Sequence, residues 1–136
     1  MAVVAVAPIV LSDVTLKIAA SNYEAHVSSV ELTPSPVSAS FKGMTPTAVF
    51  NLAGASTWQA ALTFAQDWAT TNSLSAYLFD NEGTNVVMDF YPKSGGTGFR
   101  CTVSLVSGSI GGSVDSVAVS TVTLPVSGKP ARITGA

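Results

Sequence analysis

The sequence T-W-Q-A-A-L-T-F-A at residues 57–65 decides the fold class of this chain. Apolar side chains fall at every second position of the stretch, at Trp58, Ala60, Leu62 and Phe64. Such alternation is typical of a half-buried strand. Ser56 followed by Gln59 also matches a capping box, which leaves a helix as the alternative. The alternation favours a strand over 57–65.

Further strands are expected on both sides of this stretch. The pattern predicts them over 10–20, 23–32 with a β-bulge at Ser28-Ser29, 47–52, 84–91, 99–106 and 114–126. A short helix is expected after Ser73, because Leu74, Tyr77 and Leu78 share one helical face and Gly83 stands where the helix would stop. About seven or eight strands and one short helix predict a single mainly β domain over 1–136, a sandwich or barrel.

The composition indicates a surface covered by partner chains. Hydrophobic residues make up 47% of the 136 residues and charged residues only 10%, against roughly 25% charged in an average soluble domain. Monomeric proteins normally use charge to remain soluble, so this low content favours an oligomer. A secreted or cell-surface β domain with a Ser/Thr-rich exterior is the alternative reading of the composition.

The charge pattern argues against tight nucleic-acid binding. The formal net charge is −2, and the six Lys and Arg residues are scattered singly along the chain. Tight binding of DNA or RNA usually needs clustered cations. The apolar N-terminal stretch 1–11 has no basic residue before it and carries Pro8, so no signal peptide is expected.

Catalytic and metal-binding patterns are missing from the sequence. His26 is the only imidazole and lies in a predicted strand, where a solvent-facing or hydrogen-bonded histidine is expected. Cys101 lies in an alternating apolar run and is expected to be buried. One His, one Cys and dispersed carboxylates form no ligand cluster. We therefore expect a protein that is not an enzyme and has no cofactor and no metal.

Two segments are candidates for contact with neighbouring subunits. Residues 33–46 contain three prolines and a glycine, which predicts a loop or a protruding edge hairpin. Residues 127–136 have no periodicity, which predicts an exposed C-terminal arm. The candidate contact residues are Pro34, Pro36, Phe41, Met44, Pro46, Lys129 and Pro130. Phe41 and Met44 folding back on the core is the alternative.

Aromatic residues leave a second function class open. Trp58, Trp68 and Tyr91 together would make a sugar-stacking platform, as in a carbohydrate-binding or adhesive module. Core packing is the commoner role of aromatic side chains in strand patterns.

Three segments of the chain resemble the major tail proteins, or tail tube proteins, of long-tailed bacteriophages. They are W-Q-A-A-L-T-F-A-Q-D-W-A-T-T-N-S-L-S-A-Y-L-F over 58–79, I-G-G over 110–112 and L-P-V-S-G-K-P over 124–130. Their combination and order carry the resemblance, which covers most of the chain. Ala60 and Ala61 stand where the family pattern has bulkier strand residues.

The resemblance implies a β-sandwich subunit of the virion, assembled in the host cytoplasm into hexameric rings that stack as a hollow tail tube. Genome DNA would pass through the lumen without tight binding. The partners implied are further copies of the chain, a tape-measure protein, and terminator and tail tip proteins. By position, the resemblance also implies that 33–46 and 127–136 bridge successive rings. A tube subunit of a bacterial secretion or contractile system is a related alternative.

Overall fold

The computed structural model describes residues 2–93 and 95–134 of the chain. The described part contains nine strands and one helix, in the order β1 (Thr15–Ile18), β2 (Ser21–Asn22), β3 (Val27–Ser35), β4 (Ser38–Lys42), β5 (Val49–Ala53), β6 (Thr57–Ala65), α1 (Leu74–Asp80), β7 (Asn85–Tyr91), β8 (Thr97–Ser104) and β9 (Val119–Thr134). Seven strands form one antiparallel sheet in the order β2-β1-β7-β8-β9-β6-β3, and β4 pairs with β5 in a separate hairpin. The predicted mainly β, sandwich-like fold is confirmed.

The strand over 57–65 is confirmed, and its neighbours explain why it is a strand. β6 pairs with β3 on one side and with β9 on the other, so its backbone groups are bonded along both edges. Every second residue is buried from Ala60 to Phe64. The expected bulge is also present, since the register between β3 and β6 shifts between Val27 and Ser29.

β9 joins the two halves of the sheet. Its first half, from Val119 to Val126, pairs with β6, and the part from Val126 onwards pairs with β8. Between the halves the register with β8 shifts, and Gly128 has a φ of +76°, a conformation that glycine adopts without the strain of a side chain.

The sheet curls around one hydrophobic core. Inward side chains from β1, β6, β7, β8 and β9 form a single buried cluster with Leu74 and Leu78 of α1. Residues of β1 and β7 line the same groove as residues of β3, although β3 is at the opposite end of the strand order. The two ends of the sheet therefore approach each other, with a gap between them.

The helix begins as expected. The Ser73 hydroxyl accepts a hydrogen bond from the Ala76 N–H at 3.4 Å and donates one to the Asp67 carbonyl oxygen. The Asp67 carboxylate accepts from the N–H groups of Ala69 and Thr70, each at 3.1 Å. These contacts stabilise the turn before α1.

Several boundaries differ from the sequence prediction. The first strand covers 15–18 rather than 10–20, because residues 10–14 pair with no neighbouring strand. His26 lies in a turn before β3 rather than in a strand. The tail is a larger correction: 127–134 is not an irregular arm but the second half of β9, since its backbone pairs with β8. Residues 135–136 of the expected arm lie outside the described part.

Candidate assembly surface

The β4–β5 hairpin is exposed along its whole length. All five residues of each strand are exposed to solvent. The strands are held by their own ladder, by the Gly43 N–H donating to the Ala48 carbonyl at 2.6 Å, and by the Gly54 N–H donating to the Val37 carbonyl at 2.7 Å. Isolated two-stranded hairpins are marginally stable in water, so the few contacts of this one with the rest of the chain make it the least supported part of the described fold.

The hairpin is amphipathic. Phe41 lies opposite Phe50 and their rings stack with centroids 6.4 Å apart, while Ala39 lies opposite Leu52 on the same face. The residues of the other face are mostly polar: Ser38, Ser40, Lys42 and Asn51, with Val49 and Ala53. An antiparallel hairpin with one apolar face normally buries that face. Here the side chains of Phe41, Phe50 and Leu52 are 65%, 53% and 66% exposed.

An apolar groove runs along the gap in the curled sheet, and we call it the edge groove. It has a volume of about 560 Å³. Its lining is apolar apart from Glu31 and Lys129, and comprises Ile9, Leu11, Val30, Leu32, Trp58, Phe90, Pro92, Phe99 and Pro130. No hairpin residue is among these, so within one chain the hairpin does not fill it.

A second groove adjoins the edge groove and is more polar. Asp13, Glu24 and Glu31 line it together with serines of β3, and it has a volume of about 550 Å³. Leu11 lines both grooves. The chain before it, residues 2–10, is exposed throughout and carries four valines.

The face of the sheet opposite the core is free of charge at its centre, and we call it the open face. The outward residues of β6 and β9 are Gln59, Ala61, Thr63, Ala65, Val119, Thr121, Thr123 and Pro125. The hydroxyls of Thr63 and Thr121 lie 3.2 Å apart. Towards β7 and β8, the Arg100 guanidinium binds both carboxylate oxygens of Asp89, at 2.8 and 3.0 Å, and this pairing raises the pKa of Arg100.

The residues predicted from sequence lie at three places: on the hairpin, at the end of β3 and on the edge groove. Phe41 is in β4, Met44 and Pro46 are in its tip loop, and Pro36 precedes it, all exposed. Pro34 lies at the end of β3, opposite Trp58, where a proline is tolerated because β3 is an edge strand. Lys129 and Pro130 line the edge groove. The expected protruding element is the β4–β5 hairpin, which runs from Ser38 to Ala53, whereas residues 33–35 of the expected segment are the end of β3 and pair with β6.

Sequence reasoning missed Phe50 and Leu52 as surface residues. The stretch 47–52 was predicted to be an ordinary strand, whereas its apolar residues face outward. The β-forming pattern of 47–52 is the same for a core strand and for a projecting hairpin, so the sequence carried no signal for this exposure. The edge groove had no sequence signal, since its residues come from segments distant along the chain.

The side chains that could act in catalysis or bind a metal are dispersed. Cys101 is buried and unpaired, and burial together with the nearby Asp89 raises its pKa to about 11. His26 packs edge-on against Tyr23, with ring centroids 5.7 Å apart. Among residues 2–93 and 95–134, no group of three or more His, Cys, Asp or Glu is placed to hold a metal ion.

The three aromatics considered for sugar stacking do not come together. Trp58 lines the edge groove, while Trp68 packs edge-on against Phe79 with ring centroids 5.9 Å apart. Tyr91 is buried against Gly98. In the described part of the chain, no helix has the length and apolar character needed to cross a membrane.

Comparison with known proteins shows that the fold is similar to that of a solved structure. No protein-family model and no curated protein matches the sequence. Among solved structures, the chain is similar to one in the cryo-EM structure of an extracellular contractile injection system, described as the PVC sheath/tube terminator in extended state. The TM-score is 0.62 at 15% identity, and the alignment covers 96% of this chain and 100% of the other. The two chains share a fold over nearly their whole lengths.

Proposed function

We propose that this chain is a structural subunit of a phage-tail-like tube. Copies associate into hexameric rings, and the rings stack into a hollow tube through which genome DNA is delivered to a host cell. The protein has no catalytic role and needs no cofactor. The observation that carries the proposal is the full-length fold likeness to a chain from an injection-system particle.

The exposed surfaces support assembly. The apolar face of the β4–β5 hairpin and the valines of residues 2–10 are exposed in the single chain, and apolar patches of this kind mark interaction sites. β3 is also an edge strand of nine residues with one side unpaired in the sheet. Pairing such edges between copies would close the ring and protect the edges from aggregation.

The open face has the properties required of a lumen. Its centre carries threonine and alanine, with no cation among the outward residues of β6 and β9. Phosphates bind through clustered Lys and Arg, so DNA would slide past this face without being held. The Asp89 carboxylate beside Arg100 also reduces the attraction of that cation for phosphate.

A tube subunit would also bind other tail proteins. A tape-measure protein would occupy the lumen during assembly, and terminator and tip proteins would cover the two ends of the tube. The particle would be a virion tail, assembled in the host cytoplasm.

A tube subunit of a contractile injection or secretion system is the second candidate. It is favoured by the injection-system particle from which the similar solved structure comes. The genes beside the coding sequence distinguish the two: capsid and portal genes indicate a phage, and effector genes with no capsid gene indicate an injection system.

Negative-stain electron microscopy with light scattering on the same sample tests the proposal. We expect hollow tubes or six-fold rings at high protein concentration, and species of ring mass in solution. A protein that stays monomeric at millimolar concentration, and that also fails to join rings when mixed with its own particle's tail components, would contradict the proposal. The carbohydrate-binding reading would then be tested on a glycan array.

A further inference from the structure

We propose that residues 2–11 form a strap that pairs with the open edge of β3 in the same chain and so keeps that edge from other copies until assembly. The open edge runs along Val27–Ser35, which in the described part of the chain pairs only with β6. Unpaired strand edges bind further strands, and proteins therefore cover them. The blocking of assembly rests on the proposed function, whereas the pairing within one chain does not.

The strap already lies beside this edge. Ile9 and Leu11 line the edge groove together with Val30 and Leu32 of β3. Ile9 and Leu11 are nevertheless 61% and 53% exposed, and residues 9–11 belong to no strand. A shift of this segment towards β3 would remove both apolar side chains from water, which is the main driving force for such a closure.

The direction of the strap suits an antiparallel pair. As the chain runs from Ile9 to Val14, the facing residues that line the same two grooves run backwards from Leu32 to Glu24. The sheet agrees, because five successive antiparallel pairings separate β1 from β3 and leave these two strands opposite in direction. Closure of the gap therefore needs only an ordinary antiparallel ladder.

The side-chain pattern defines the register of this ladder. Ile9 and Leu11 are two residues apart, as are Val30 and Leu32, so each pair stands on one face of an extended chain. Leu11 and Val30 each line both grooves, which places them opposite each other, and Ile9 then falls opposite Leu32. A slip of one residue would turn both strap side chains to solvent, which disfavours other registers.

The composition of the strap favours a strand beside this groove. Five of its ten residues are Val or Ile, whose branched side chains favour extended backbone. None of the ten is charged, so closure brings no like charge to Glu31 or Lys129, the two charged residues of the edge groove. Pro8 has no N–H to donate, and the ladder is therefore expected from Ile9 onwards.

A closed strap competes with pairing between copies. The open edge of β3 offers one row of backbone N–H and C=O groups, which a segment of the same chain and a strand of another copy cannot occupy together. Because the strap is tethered to β1, its effective concentration at the edge is high. The free subunit is thus protected from random edge pairing, and a growing ring displaces the strap through the further contacts that it adds.

Amide hydrogen exchange tests the pairing. Ile9→Ser with Leu11→Ser removes both apolar anchors in the full chain, and exchange is followed residue by residue by NMR in the monomer at low concentration. We expect the N–H groups of residues 28–32 that point away from β6 to exchange about tenfold faster or more in the variant. The N–H groups that bond to β6 should keep their protection, which shows that the variant is folded. Equal exchange of the outward N–H groups in variant and wild type would overturn the proposal.

Val3→Ser with Val4→Ser is the matched control. Both valines belong to the strap, but they are 95% and 88% exposed and do not line the edge groove. This variant should show the exchange rates of the wild type. Tenfold faster exchange at the same β3 positions would mean that the protection does not depend on Ile9 and Leu11, and would contradict the register.

Light scattering of the same variants tests the competition. Loss of exposed apolar side chains ordinarily weakens association. Ile9→Ser with Leu11→Ser should instead associate several-fold faster than the wild type, because it frees the β3 edge, and Val3→Ser with Val4→Ser should not. Unchanged or slower association of the first variant would overturn the blocking role.

The outcomes separate the strap from the proposed function. Strap-dependent protection of β3 in a wild-type protein that never forms rings or tubes would establish the pairing and contradict the tube role. Rings or tubes built from a free subunit whose β3 edge is unprotected would leave the tube role standing and overturn the strap.

Discussion

The ring of Tyr91 lies over Gly98 on the neighbouring strand. A Cβ at residue 98 would come within 2.6 Å of ring atom Cε1 and 2.9 Å of the Phe90 carbonyl oxygen. Tyr91 and Gly98 are both buried, although they lie away from the hydrophobic core cluster. The absence of a side chain on Gly98 therefore allows the ring to cover the pairing of β7 with β8.

Replacement of Gly98 should destabilise the protein. Gly98→Ala forces the Tyr91 ring and the backbone apart, with an expected loss of about 1–3 kcal/mol in the free energy of unfolding. Urea unfolding measures the loss. Gly112→Ala is the control, because the nearest atoms to a Cβ there belong to Ala118 at an ordinary 3.6 Å. Equal midpoints for the two variants would contradict the argument.

Substitution of a buried leucine should lower stability, whereas substitution of an exposed one should weaken self-association. Leu124 is completely buried in the core, whereas Leu52 is 66% exposed on the hairpin. Leu124→Ala should cost about 2–5 kcal/mol of unfolding free energy because it leaves a cavity. Leu52→Ala should change stability by less than about 0.5 kcal/mol but weaken self-association. Unfolding at low concentration and light scattering at high concentration measure the two effects, and a large stability loss from Leu52→Ala would refute the exposure of the hairpin.

The capping serine should be necessary for α1. Ser73→Ala removes the acceptor for the Ala76 N–H and the donor to the Asp67 carbonyl, with an expected cost of about 1–2 kcal/mol. Thr71→Ala, at an exposed position in the same turn, should have almost no effect. Thermal unfolding followed by circular dichroism compares the two, and similar melting temperatures would show that the cap is dispensable.

Cys101 should be chemically inert in the folded state. Because burial raises its pKa to about 11, little thiolate exists at pH 8, and thiolate is the reactive form. A thiol reagent should modify the native protein only as fast as it unfolds, and the urea-denatured protein at once. Rapid modification of the native protein at pH 8 would contradict the burial.

The same pKa predicts a loss of stability in alkali. The folded protein holds the Cys101 proton up to a pKa of about 11, whereas the unfolded chain loses it near its usual value of about 8.5. The folded state therefore binds more protons in this window, and the free energy of unfolding should fall as the pH rises through it. The fall should be smaller in Cys101→Ala, and an identical pH profile in both proteins would exclude the effect.

Asp67 should make the free energy of unfolding fall as the pH is lowered in the acid range. Hydrogen bonds from the Thr70 side chain, and from the N–H groups of Thr70 and Ala69, lower the pKa of this carboxyl. Its stabilising contribution is present above the unfolded pKa and is lost as the pH falls through the folded pKa. Asp67→Asn should flatten the stability profile below the usual aspartate pKa of about 4. Fluorescence-monitored unfolding measures it, and an unchanged slope would disprove the role.

Much of the candidate surface could be anticipated from the sequence and some could not. The proline-rich stretch 33–46 indicated a protruding element, since proline is excluded from central strands. The exposure of Phe50 could not be anticipated, because the β-forming pattern of 47–52 is the same for a core strand and for a projecting hairpin. The edge groove depends on how the sheet curls, which no local pattern records.

The sequence by itself determined the elements whose cause is local. The alternation over 57–65, the cap at Ser73 and the bulge between Val27 and Ser29 all appear in the structure as predicted. Only the tertiary structure decided that 127–134 is a strand and that the ends of the sheet approach each other across a groove. The physical reason is that backbone hydrogen bonds between distant segments depend on main-chain groups that every residue carries. Side-chain periodicity therefore does not reveal them.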